Sequence, residues 1–127
     1  MIGEVWEDGS NKIAYGQRRR YLLGHETHGL MNYPFRVSAI AWLQGRDAAA
    51  FMETMETIRE HYPPAAFYSS LNSLGTHDNP RILTLLGQSE DLSRHDLDWR
   101  AHYRLSHAER QRAVRRLKLA STLLYAF

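Results

Sequence analysis

Short apolar segments that read as strands alternate with segments that read as helices, and this alternation restricts the architecture more than any other feature of the chain. Ile2 to Trp6, Gly29 to Tyr33 and Asn72 to Gly75 are the strand candidates. A strand followed by a helix and a further strand packs as a parallel βαβ unit, because a chain returning in the same direction needs a long crossover. An α/β fold in which helix outweighs strand is therefore expected.

The helix boundaries are written in caps. Pro34 can occupy the first turn of a helix from Phe35 to Leu43, and Gly45 marks its end. Asp47 is suited to cap a helix reaching about His61, in which Phe51, Met55 and Ile58 form the buried stripe before Pro63-Pro64 stops it. Thr76-His77-Asp78-Asn79-Pro80 reads as a turn, Arg81 to Leu86 as a short helix closed by Gly87, and Gln88 to Leu105 as a long polar loop. Ser106-His107-Ala108-Glu109 is a capping box opening a last helix whose apolar face runs Ala113, Leu117, Ala120, Leu124. The trio Arg18-Arg19-Arg20 is expected on a short helix or its flank.

Composition narrows the function. At 127 residues there is room for one domain at most, and 43% apolar with 24% charged residues is an ordinary globular balance. With no cysteine, a disulfide framework, a thiolate nucleophile and a Cys-ligated metal are ruled out. A net charge of +2 is too small to make the whole chain a polyanion binder, and three successive arginines are more often solvated or paired than bound to nucleic acid. The seven histidines form no His-Glu-x-x-His pattern, so neither a metal nor another cofactor is expected. No apolar run reaches membrane length. A cytoplasmic location is favoured. Both ends read as interrupted, the first inside a strand and the last inside an apolar helix, so the chain is expected to be part of a larger domain.

In parallel α/β folds, reactive groups gather just past the carboxyl ends of strands. Glu4, flanked by Ile2, Val5 and Trp6, and the pair His77-Asp78 after the third strand candidate occupy such places. A carboxyl held among apolar side chains serves as a proton donor while a second, wetter carboxylate stays charged, the division that glycosidic cleavage needs. The bland alternative for Glu4 is a strand-end carboxylate capping a loop. For Trp99 and Tyr103 the choice lies between a sugar-contacting lid and an aromatic anchor, with the anchor favoured.

Three stretches carry a family resemblance: Ile2-Gly3-Glu4-Val5-Trp6-Glu7, Met31-Asn32-Tyr33-Pro34-Phe35-Arg36, and Ser73-Leu74-Gly75-Thr76-His77-Asp78-Asn79-Pro80-Arg81. In order and spacing they resemble the α-amylase superfamily of glycoside hydrolases, most of all its neopullulanase and cyclomaltodextrinase branch. Arg116 to Ser121 is similar to the helix before the last barrel strand of that family. Thr27-His28-Gly29 departs from it, since members usually carry an Asp there. The resemblance implies part of a (β/α)8 barrel, from its fifth strand to its seventh helix, rearranged or dimerised if isolated. It implies a retaining hydrolase of α-glucan oligosaccharides, with Glu4 as general acid/base and Asp78 as the transition-state carboxylate. His77 and Trp6 would contact the sugar, and Arg81, counted with them in the substrate site, would orient Asp78 or else be a surface helix arginine. The nucleophile would lie before Met1, so these residues alone are expected to be inactive, and a homodimer through exposed barrel surface is expected. A non-catalytic carbohydrate-binding or interaction module of the same descent is the alternative.

Overall fold

Residues 1–127 are described by a computed structural model, which divides into a unit of Met1–Ser73 with Phe127 and a unit of Leu74–Ala126.

The first unit is organised by parallel pairing. Strand β1 (Ile2–Gly3) pairs with β4 (Gly29–Leu30) in the register Ile2↔Gly29 and Gly3↔Leu30. A parallel bridge then joins Met31 to Leu71, with Leu71 N–H donating to the Leu30 carbonyl at 2.8 Å and Asn32 N–H to the Leu71 carbonyl at 2.9 Å. Three parallel segments thus lie side by side in chain order, but helices return the chain only between the second and third, and none lies between β1 and β4. The segments are shorter than expected, and Asn72 to Gly75 forms no strand, the pairing being confined to Leu71. Gly29 is what lets the third segment approach: a Cβ there would lie 2.3 Å from the Ser69 carbonyl oxygen.

The helices that return the chain follow their caps. Asn32 Oδ1 accepts the Phe35 N–H at 3.1 Å and opens α1 (Tyr33–Leu43), with Pro34 in the first turn. Asp47 caps α2 (Ala48–His61) through the Ala49 N–H at 2.9 Å, and Phe51, Met55 and Ile58 are its buried stripe, as the spacing predicts. Phe51 stacks on Trp42 with ring centroids 5.8 Å apart and meets Phe35 and Phe127 edge-on, at 6.2 and 5.5 Å. After Pro63, a short helix α3 (Pro64–Tyr68) leads to the third parallel segment. Under the sheet, Val5, Leu22, Leu30, Ile58, Tyr62 and Ala66 form a buried cluster.

The basic trio is not helical. A hairpin of β2 (Ile13–Ala14) and β3 (Gln17–Arg18) replaces the expected helix, turning through Tyr15 and Gly16 at φ of 55° and 74°. Two consecutive positive φ values give a hairpin turn whose twist matches its strands. Its two-residue strands carry too little apolar alternation to be read from the sequence.

The second unit packs α4 (Ile82–Gly87) on α6 (His107–Ala126). Ala113 and Ala120 are wholly buried, and a Cβ on Gly87 would come 2.8 Å from both the Ala113 Cβ and the Glu109 carbonyl oxygen. Gly87 therefore seats one helix on the other, in addition to ending α4. Arg112 and Arg116 donate to the Gly87 and Leu86 carbonyls at 2.7 and 2.8 Å, satisfying the end of α4. The expected capping box is present: Ser106 N–H donates to Glu109 Oε2 at 2.8 Å and Glu109 N–H to Ser106 Oγ at 3.3 Å. The Ser106 N–H and hydroxyl, with Ser89, donate to the Glu109 carboxylate and draw it down to about 2. The expected loop 88–105 contains instead a 3₁₀ turn, Leu92–Arg94, capped by Asp91, and a helix α5 (Leu97–His102) capped by Asp96 through the Trp99 N–H at 2.8 Å. Trp99 is stacked between His95 and Tyr103, at centroid separations of 3.6 and 5.0 Å, so the aromatic residues of this segment hold one another.

Candidate active site

Because β1 and β4 run in parallel and in register, the residues that follow them emerge side by side. Glu4 comes directly after β1, and Asn32 and Tyr33 come directly after β4 and its bridge residue Met31. Tyr33 is buried at the first position of α1. Its hydroxyl donates to Glu4 Oε1 at 2.7 Å. Trp6 lies on the same ring, with centroids 4.1 Å apart and planes inclined by 19°, while half of the indole stays exposed. Glu4 and Trp6 thus meet through Tyr33, which the sequence singles out only within the Met31-Asn32-Tyr33-Pro34 motif. Nothing in one sequence ties position 33 to position 4; the parallel register does.

The apolar enclosure expected around Glu4 is not found. Glu4, Ile2 and Trp6 are exposed, and only Val5 turns into the core. Side chains alternate along an extended segment, so the inward turn of Val5 sends its neighbours outward. Beneath the group, buried Asn32 is held at both ends, its Oδ1 by Phe35 N–H and its Nδ2 donating to Asn72 Oδ1 at 2.9 Å. Arg36, one turn along α1, is also buried, and desolvation pulls its guanidinium below the usual arginine range against the counter-influence of Tyr33.

His77 and Asp78 lie in the second unit, in a turn tied by Thr76. Asn79 Nδ2 and Asp78 N–H donate to Thr76 Oγ1 at 2.7 and 3.3 Å. Both side chains are exposed, and His77 Nε2 lies 3.2 Å from Asp78 Oδ2. Arg81, exposed at the residue before α4, pairs with neither of them. No three His, Asp or Glu side chains come together in a metal-holding group, and no helix is long and apolar enough to cross a membrane.

Glu4 thus stands just past a parallel strand, its carboxyl held by a tyrosine hydroxyl beside an open indole. The chain is similar to several known enzymes. It is 35% identical over 97% of its length to an amylopullulanase of Thermoanaerobacterium thermosulfurigenes, of which it spans 6%. It is 29% identical over 68% of its length to a cyclomaltodextrinase of Geobacillus thermopakistaniensis, of which it spans 14%. With neopullulanase 2 of Thermoactinomyces vulgaris the identity is 32% over 71% of the chain, again 14% of that protein. No family model and no solved structure matches it. The chain belongs to the α-amylase family of glycoside hydrolases and corresponds to a short segment of its members.

Proposed function

We propose that the protein to which this sequence belongs is a retaining hydrolase of α-glycosidic bonds in maltooligosaccharides, cyclodextrins or pullulan, and that these residues supply its proton donor and a charge-stabilising carboxylate. The observation that carries this reading is the similarity to an amylopullulanase over 97% of the chain. The order of the parallel segments β1, β4 and Leu71 supports a portion of a (β/α)8 barrel, with Glu4 and Tyr33 at its carboxyl-terminal rim.

In this reading Glu4 protonates the glycosidic oxygen as the bond to the anomeric carbon breaks. Glu4 then takes a proton from the water that releases the glycosyl intermediate. The tyrosine hydroxyl fixes the direction of the carboxyl, and the exposed indole of Trp6 receives a glucose ring on the leaving-group side. Asp78 grips hydroxyls of the distorted sugar, His77 bonds the same sugar, and Arg81 extends the binding surface. The nucleophilic carboxylate is contributed by residues outside this sequence, so the 127 residues alone release no reducing sugar from maltotriose or a cyclodextrin. Exposed apolar side chains such as Ile2, Trp6 and Leu119 favour self-association of the isolated chain, which light scattering reads as a dimer.

The decisive test exchanges the matched segment of the amylopullulanase for this chain. Reducing-sugar release is expected, falling by about 10²- to 10⁴-fold in Glu4→Gln, the usual contribution of general acid–base catalysis, with Asp78→Asn also strongly impaired. Activity that ignores both substitutions in a folded chimera overturns the assignment. Maltooligosaccharide binding that survives both, with no turnover, favours a non-catalytic module.

A further inference from the structure

The arginine trio that the proposed reaction does not use lines a cavity of the first unit, of about 490 Å³. Arg18, Arg19, Arg20, Asn11, His61 and Tyr21 contribute to its wall; Glu4 and Trp6 do not, and no carboxylate does. The hairpin places the trio there. The Tyr15–Gly16 turn fixes Arg18 opposite Ile13, and Arg19 N–H extends the pairing to the Lys12 carbonyl at 2.8 Å.

The charges at this wall do not balance. Arg19 reaches Glu26 at 3.3 Å and lies over the Tyr21 ring at 5.3 Å, and its Nε is buried without a hydrogen-bond acceptor. Arg18 donates to the neutral Asn11 Oδ1 at 2.6 Å. Arg20 is tied through its backbone alone, its N–H donating to Glu26 Oε1 at 3.2 Å and its carbonyl accepting from Leu23 N–H at 3.2 Å, while its guanidinium is exposed and unpaired. Three guanidinium groups therefore face one carboxylate, Glu26, and the imidazole of His61 is already paired with Asp8. Guanidinium forks match the oxygens of a phosphate two at a time, and charge-assisted bonds of this kind are the strong ones. The volume is that of a small-molecule site, and the charge is gathered in a concavity instead of being drawn out along a face as a nucleic acid requires.

We infer that this cavity binds a phosphate monoester of small-molecule size, a phosphorylated sugar, at a site separate from Glu4 and Trp6. The inference stands independently of the catalytic roles proposed above. Calorimetric titration of the 127-residue chain with glucose 1-phosphate, inorganic phosphate and glucose tests it. Both phosphates are expected to bind saturably at one site and to compete, the sugar phosphate more tightly, while glucose at the same concentration gives no heat. Arg20→Gln and Arg18→Gln should each weaken phosphate binding about tenfold or more, with far-UV circular dichroism unchanged because both side chains are exposed. Raising the salt concentration should weaken it further. Absence of saturable phosphate binding overturns the inference, as does binding that both variants leave intact. So does a single-stranded oligonucleotide that binds and is not displaced by phosphate, since the arginines would then serve an extended polyanion. Competition by neutral maltotriose also overturns it, making the cavity a glucan subsite.

Discussion

Tyr33 shows how much one side chain can join. Its buried ring carries Trp6 and its hydroxyl holds Glu4, so two substitutions there separate the two roles. Tyr33→Phe keeps the ring and removes one hydrogen bond, with an expected loss of about 1 kcal/mol in urea unfolding at neutral pH. Tyr33→Ala also empties a core position and should cost about 3–5 kcal/mol, the range for a large buried aromatic. Glu109 makes a prediction about pH. Its folded-state carboxyl titrates at about 2, against an ordinary value of 4.5, because Ser106 and Ser89 donate to the ionised form. Its stabilisation is therefore complete above about 4.5 and is lost as pH falls toward 2. Urea midpoints followed by circular dichroism should decline across that window, and Glu109→Gln should flatten the decline. Asp91, lowered by its bonds from the Ser93 hydroxyl and N–H, keeps a residual slope.

Among the elements, α4 and α6 depend on the absence of a side chain. Alanine in place of glycine ordinarily favours a helix by about 1 kcal/mol. Gly87→Ala is expected to do the opposite, lowering stability by about 1–3 kcal/mol, because the new methyl meets the Ala113 Cβ and the Glu109 backbone. A raised melting temperature for this variant would show that the two helices can separate freely. Ser106→Ala should cost about 1 kcal/mol through loss of the cap, read in the same unfolding experiment. The boundaries of α1, α2 and α6 were legible because Pro34, Asp47 and the Ser106/Glu109 pair act within one turn of their own positions. The hairpin and α5 were not. Elements of two to six residues complete too few periods to give a pattern, although Asp91 and Asp96 were cap signals that could have marked the turns after them.

At the scale of the whole molecule, the chain spans 6% to 14% of these relatives, and in the proposed reading the expected absence of turnover follows from a missing attacking carboxylate. Sugar release from maltotriose by the purified chain, abolished by Glu4→Gln, would show that the attacking carboxylate is present after all. The sequence by itself determined the family, the order of the three motifs and the main helix boundaries, since these rest on residue identity and on interactions three or four positions long. Tertiary structure alone decided which segments pair, that Tyr33 reaches Glu4 across 29 positions, and that three arginines share one cavity. Strand pairing brings together residues remote along the chain through backbone hydrogen bonds that nearly any side chain permits, so it leaves little trace in a single sequence.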